Sequence, residues 1–210
     1  MAVAKFCNAP VTLENVNWGA AQRDQLKNNS STNTFPYLVT PDGNLSEAYA
    51  IIQYLASNFD GKLYGANKWE NAQVNQWVQF AQIEITRYNK ALIYPILGFY
   101  EYNAVEAQRA SVDVVQWVKV LDAHLAGRNF VVGDQLTLAD LELFYPLRFY
   151  MQLHFTEETR NLMPNVVAWF SRLMVMPNIV TSYGRTLFCK VAQTAAPQNP
   201  ELVNKLNFLF

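Results

Sequence analysis

Apolar residues recur at helical spacing through most of this chain. From Asn67 to about Tyr88, the residues Val74, Trp77, Val78, Ala81, Ile85 and Tyr88 share one face, which predicts a single long helix. Pro95 breaks or kinks the apolar run that follows, from Ala91 to Gly98. A second long helix is expected from Ala104 to Ala126, with Val112, Val115, Val118, Leu121, Asp122 and Leu125 on one face and Gly127 as its stop. Thr156 is placed to cap a short turn through Leu162. Pro164 to Val175 carries Val166, Trp169, Phe170 and Leu173, and Pro177 ends it and opens a last short helix to Gly184.

Residues 1–60 follow another rhythm. Ala2 to Cys7 is short, apolar and β-branched enough for a strand, and Ala20 to Asn28 reads as a short helix. Phe35 to Thr40 is a second expected strand, and Pro41-Asp42-Gly43-Asn44 a tight turn. Ser46 is placed to cap a helix reaching about Asn58. The order is β-α-β-turn-α, and Gly61 to Gly65 reads as the link to the helical remainder.

The most informative stretch runs from Phe130 to Leu141. Thr137 precedes Asp140 by three residues, just ahead of an apolar run, which is the pattern of an N-capping box. The Thr137 hydroxyl can accept from the Asp140 amide, and the Asp140 carboxylate can reach back to the Thr137 amide. Leu136 and Leu141 stand where a hydrophobic staple needs them. The helix that follows is apolar on nearly every side, so it belongs at the centre of a helical domain.

Composition narrows the function. Half the chain is apolar (51%) and 14% is aromatic, enough for a well-packed core. A net charge of −1 predicts neither a nucleic-acid binder nor a trap for acidic substrates. Cys7 and Cys189 lack metal or redox spacing, and His124 and His154 have no neighbours at ligand spacing, so neither a metal nor another cofactor is expected. No apolar run has transmembrane length and no secretory leader opens the chain; a cytoplasmic protein is the expectation.

The phrase Val132-Gly133-Asp134-Gln135-Leu136-Thr137-Leu138-Ala139-Asp140 resembles the core-helix motif of the glutathione-transferase superfamily. That resemblance implies an α+β, mostly α fold: a truncated thioredoxin-like domain over 1–60, an all-α helical domain over 61–195, and a tail over 196–210. It also implies a cis-proline at Pro36, here preceded by Phe35. The opening strand-helix unit of the family domain, where its catalytic residue lies, is expected to be missing, because 35 residues precede Pro36. Glu47-Ala48-Tyr49-Ala50-Ile51 matches the segment that holds the γ-glutamyl carboxylate of glutathione, but Ala48 stands where the family carries Ser. Phe35, Pro36, Glu47 and Ala48 are thus vestigial glutathione-site positions by this resemblance. Losing one charge-assisted hydrogen bond costs on the order of 1.5–3 kcal/mol.

Within the superfamily the chain resembles the gamma-subunit branch of translation elongation factor 1B. The matching segments are Gln76 to Ala81, Tyr94 to Gly98, Leu121 to Leu125, Phe130 to Asp134, Pro164 to Phe170 and Gly184 to Gln193. The resemblance implies a non-catalytic scaffold that holds other subunits, among them the nucleotide-exchange subunit, with a homodimer through the transferase-like fold as a further expectation. The same scaffold relocated to a ciliary, mitochondrial or synthetase assembly is a second form of this reading. The alternative is a glutathione transferase using an unusual nucleophile, Cys7 or a tyrosine. In the tail, Leu202, Leu206, Phe208 and Phe210 are expected to dock on a partner.

Overall fold

The computed structural model describes residues 2–15, 20–59 and 61–194. The chain divides into two compact units, Met1–Tyr64 and Gly65–Phe210. In the first unit the described elements are α1 (Ala2–Phe6), α2 (Ala20–Asn29), β1 (Tyr37–Thr40), β2 (Gly43–Ser46) and α3 (Ala48–Asn58), then a 3-10 turn over Gly61–Tyr64. β1 and β2 form an antiparallel hairpin that pairs Tyr37 with Ser46 and Thr40 with Gly43.

Two expectations for this unit are corrected. Ala2 to Cys7 is not a strand: Ala2–Phe6 is a short helix whose Ala2, Val3 and Ala4 are buried and which packs against α3. A brief apolar run suits a buried helix as well as a strand, and alanine favours the helix. Ser46 is not a helix cap either. It is the last residue of β2, and α3 starts two residues later with Glu47 at its N-cap position and no side-chain cap. The observed order is therefore α-α-β-β-α.

The Ser46 hydroxyl is committed elsewhere. It accepts from the Ser31 amide at 3.1 Å and lies 3.0 Å from Ser30 Oγ. Ser30 spends its one hydroxyl proton on the Thr34 carbonyl (2.9 Å) and accepts the Thr34 amide (3.1 Å). Ser46 is thus the donor of the Ser30–Ser46 bond. Both serines are buried, so these bonds brace the 30–36 loop onto β2 without water.

The second unit is helical: α4 (Lys68–Phe80), α5 (Asn89–Leu92), α6 (Ala104–His124), α7 (Leu138–Leu153), α8 (Glu157–Arg160), α9 (Pro164–Leu173) and α10 (Pro177–Tyr183). It opens at Gly65, whose φ is +95°; a Cβ there would meet Glu70 and Asn71 atoms at 2.9 Å, so only glycine fits. Asn67 caps α4 by accepting from the Trp69 and Glu70 amides, each at 3.0 Å. Asn103 caps α6 in the same way.

The expected helix from Asn67 to Tyr88 follows one path but not one hydrogen-bond pattern. After Phe80 it widens into a π turn over Ala81–Ile85, then tightens into a 3-10 turn over Thr86–Tyr88 before α5. The Thr86 hydroxyl donates to the Ala81 carbonyl at 3.0 Å, and the buried Tyr150 hydroxyl donates to the Ile85 carbonyl at 3.0 Å. Hydroxyls of Thr86, within the same path, and of Tyr150, from α7, thus take carbonyls at the shift.

α7 sits at the centre of this unit, with thirteen of its sixteen residues buried. Its start is a capping box of Thr137 and Asp140. Asp140 Oδ2 accepts from the Thr137 amide (2.9 Å) and hydroxyl (3.1 Å). Asp140 Oδ1 accepts from the Val131 amide and from Trp169 Nε1 of α9, both at 2.9 Å. Burial pushes the Asp140 carboxyl pKa up, and the four donors pull against that rise.

Replacing Asp140 by Asn leaves an NH2 facing buried donors. Asp140→Asn is expected to lower the unfolding free energy by about 3 kcal/mol, read by urea denaturation at unchanged m value. A loss below about 1 kcal/mol would show that the carboxylate is not what joins these segments. In the first unit, Ser46→Ala should cost about 1–2 kcal/mol and speed hydrogen exchange at the Ser31 amide about tenfold. Unchanged exchange there would mean that the 30–36 loop is braced by other contacts.

Candidate functional site

The hairpin register places Pro36 one step beyond the Tyr37–Ser46 pair, opposite Glu47. The Phe35–Pro36 peptide bond is cis. The Phe35 ring stacks on Tyr37 with centroids 5.7 Å apart, and the Thr34 hydroxyl donates to Glu47 Oε1 at 3.4 Å. The structure thus brings Phe35, Pro36, Glu47 and Ala48 to one corner of the first unit, at the start of α3. Pro36, Glu47 and Ala48 are exposed there.

Glu47 has φ 71° and ψ 120°, a left-handed backbone that costs a non-glycine residue on the order of 1 kcal/mol. This turn lets the chain leave β2 and enter α3 directly. No side chain caps the helix, so its first amides keep the positive end of the helix dipole exposed beside the cis-proline. Such a corner can offer backbone N–H groups to an anionic group, but Ala48 adds no hydroxyl.

Cys7, the alternative nucleophile, is 1% exposed and its thiol donates to the Val3 carbonyl at 2.9 Å. It lies at the carbonyl end of α1, whereas a reactive thiolate is favoured at the opposite end of a helix. Cys189 donates to the Phe155 carbonyl at 3.1 Å, and burial pushes its thiol pKa up. His124 Nε2 lies 2.7 Å from the Val131 carbonyl and His154 Nε2 lies 2.9 Å from Ser111 Oγ. Among the described residues no group of three or more His, Cys, Asp or Glu could hold a metal ion.

The capping pair Thr137 and Asp140 lies in the second unit, buried and occupied with its own hydrogen bonds. Sequence reasoning passed over Arg148, eight residues further along α7. It is fully buried, its guanidinium lies over the rings of Phe149 (4.7 Å), Tyr183 (5.3 Å) and Tyr145 (5.9 Å), and Nη1 donates to the Tyr183 carbonyl at 2.9 Å. Burial lowers its pKa. An arginine inside an otherwise apolar helix was the available signal. Leu202, Leu206, Phe208 and Phe210 lie outside the described residues.

Two family descriptions match consecutive parts of the chain: "Glutathione S-transferase, N-terminal domain" over residues 3–63 and "Glutathione S-transferase, C-terminal domain" over residues 80–177. Elongation factor 1-gamma of Danio rerio is 32% identical over 162 residues, which is 77% of this chain and 36% of that protein. Elongation factor 1-gamma 1 of Oryza sativa subsp. japonica is 33% identical over 148 residues, 68% of this chain and 34% of that protein. The chain thus spans about a third of the length of these curated relatives.

Among solved structures, the GST-like domain of elongation factor 1-gamma from Saccharomyces cerevisiae superposes with a TM-score of 0.77 at 23% identity, covering 94% of this chain and 92% of that one. A glutathione S-transferase-I bound with lactoylglutathione superposes with a TM-score of 0.74 at 22% identity, over 86% and 89% of the two chains. At these identities the superpositions show the fold. By its N-terminal and C-terminal domains together the chain belongs to the glutathione S-transferase family, and within that family it is similar to elongation factor 1-gamma.

Proposed function

We propose that this chain is a non-catalytic assembly subunit of the elongation factor 1-gamma kind, holding partner proteins of a multiprotein complex. The observation that carries this reading is the corner at α3. Its framework is intact, with the cis Phe35–Pro36 bond, the braced 30–36 loop and the exposed helix start, yet position 48 is alanine. The similarity to elongation factor 1-gamma supports the same reading, and so does the enclosure of Cys7 behind the carbonyl end of α1. The partner we favour is a nucleotide-exchange subunit of elongation factor 1B, in the cytoplasm. Among the described residues no helix is long and apolar enough to cross a membrane. A pair of copies joined through the transferase-like fold, and docking of Leu202, Leu206, Phe208 and Phe210 on a partner, belong to this proposal.

The competing reading is a glutathione transferase with Cys7 or a tyrosine as nucleophile; the exposed α3 start beside Pro36 is what favours it. A conjugation assay with glutathione and a generic electrophile separates the two. No turnover above background is expected, and turnover abolished by Cys7→Ser would sink the scaffold reading. Ala48→Ser should raise glutathione affinity about 10- to 150-fold while adding no turnover. On the partner side, the purified full chain should retain a guanine-nucleotide-exchange subunit, and Leu206→Ala with Phe208→Ala should weaken that retention. Retention unchanged by the double substitution would reject docking through the tail.

A further inference from the structure

The second unit contains a cavity of about 430 Å³ that the preceding reading leaves without a use. It lies between α6, the chain just ahead of α6 and the end of α7. Its apolar wall includes Leu92, Tyr102, Ala107 and Val112; its polar groups include Ser111 and His154. Leu92 and Ala107 are buried, whereas Tyr102 is 42% and Val112 58% exposed, so the cavity has an apolar floor and an open rim. Its volume lies within the range of about 300–1,000 Å³ usual for small-molecule sites.

The polar pair within it is built by the fold. His154 stands at the C-cap of α7, where its amide donates to the Tyr150 carbonyl at 2.9 Å. Its Nε2 lies 2.9 Å from Ser111 Oγ. Its Nδ1 is shut off from solvent and has no hydrogen-bond partner among the described residues. On the far side, the Gln193 amide donates to the Leu153 carbonyl at 2.8 Å, pinning residues 192–194 against the end of α7 as another wall.

Proton counting defines what this pair can accept. Burial lowers the His154 pKa, so the ring is neutral at neutral pH. If Ser111 donates to Nε2, Nδ1 carries the proton and the serine oxygen remains an acceptor. If Nε2 donates to Ser111, the serine hydroxyl is the free donor and Nδ1 the free acceptor. Nδ1 is closed off in either case, so the group the pair offers the cavity is the Ser111 hydroxyl, an acceptor in the first tautomer and a donor in the second. None of the described residues lining the cavity carries a formal charge at neutral pH.

We propose that this cavity is a binding site for a neutral small molecule with an apolar body and an amide or hydroxyl head, the head held by the Ser111–His154 pair. An amide or hydroxyl head carries both a donor and an acceptor, so it can meet the Ser111 hydroxyl in either role. A charged head would find no counter-ion among the described residues that line the cavity.

Benzamide supplies an apolar ring and a head with both donor and acceptor, and it serves as the probe. The chain has two histidines, so the His154 ring signals can be followed by NMR as benzamide is added to the full chain. We expect a saturable shift at His154 with a Kd of about 1 mM or tighter and little change at His124. Ser111→Ala should weaken binding at least about tenfold, the loss of one well-placed hydrogen bond. Ala107→Phe, which fills the floor, should remove the shift. Benzoate and benzylamine should bind more weakly than benzamide to the unaltered chain, a comparison that needs no variant to fold. No saturable shift with benzamide, equal affinity for benzoate, or unchanged affinity in Ser111→Ala would each overturn the proposal.

Discussion

A single carboxylate joins the separate pieces of the helical unit. Asp140 has no solvent access, so every lone pair it presents must be met by protein. It takes the Thr137 amide and hydroxyl at the start of its own helix, the Val131 amide from the preceding loop, and the Trp169 indole from α9. Three segments are thereby held around one group. Only with that start fixed can α7 run through the unit with nearly all its side chains buried, stacking Phe144 on Phe170 of α9 at 4.5 Å. The energetic logic is asymmetric: the bonds contribute modestly when made, and the carboxylate is severely destabilising when one of them is lost.

Other buried polar groups in this core are met only in part, Arg148 leaving Nε and Nη2 without a hydrogen-bond partner among the described residues. The Tyr150 hydroxyl goes to a carbonyl at the π turn, and Arg148 reaches the Tyr183 carbonyl under a cover of aromatic rings. At the far end of α7, the Met151 and Leu153 carbonyls accept amides from Cys189 and Gln193, so the segment after α10 is tied to the central helix. α7 thus organises its unit at both ends, by a side-chain carboxylate at one and by backbone carbonyls at the other. The cavity bounded by Ser111 and His154 stands beside the second of these ends.

The first unit builds its corner from the backbone and a few short hydrogen bonds. The hydroxyl chain through Ser30 and Ser46 holds the loop, the hairpin register sets Pro36 opposite Glu47, and the left-handed turn at Glu47 aims the helix start outward. These features shape a corner that suits an anionic group. Whether such a corner binds glutathione depends on what the side chains add to the backbone, and alanine at 48 adds nothing.

The helical unit was largely legible in the sequence, because its signals are local. The 3.6-residue apolar period, the prolines at 164 and 177, and the Thr137–Asp140 spacing each act within one or two turns, and the helices form where those signals stand. The motif from Val132 to Asp140 and the segments to either side were enough to indicate the superfamily. What sequence could not decide were choices made by partners distant along the chain. Ala2–Phe6 is helical because it packs on α3, Ser46 belongs to a strand because Tyr37 lies across from it, and the π turn at Ala81–Ile85 is met by a tyrosine 65 residues away. The same holds for the Ser111–His154 pair, 43 residues apart and invisible to any spacing rule. Local propensity fixes an element to within a turn or so, whereas burial and hydrogen-bond satisfaction are properties of the assembled unit and select among the local options.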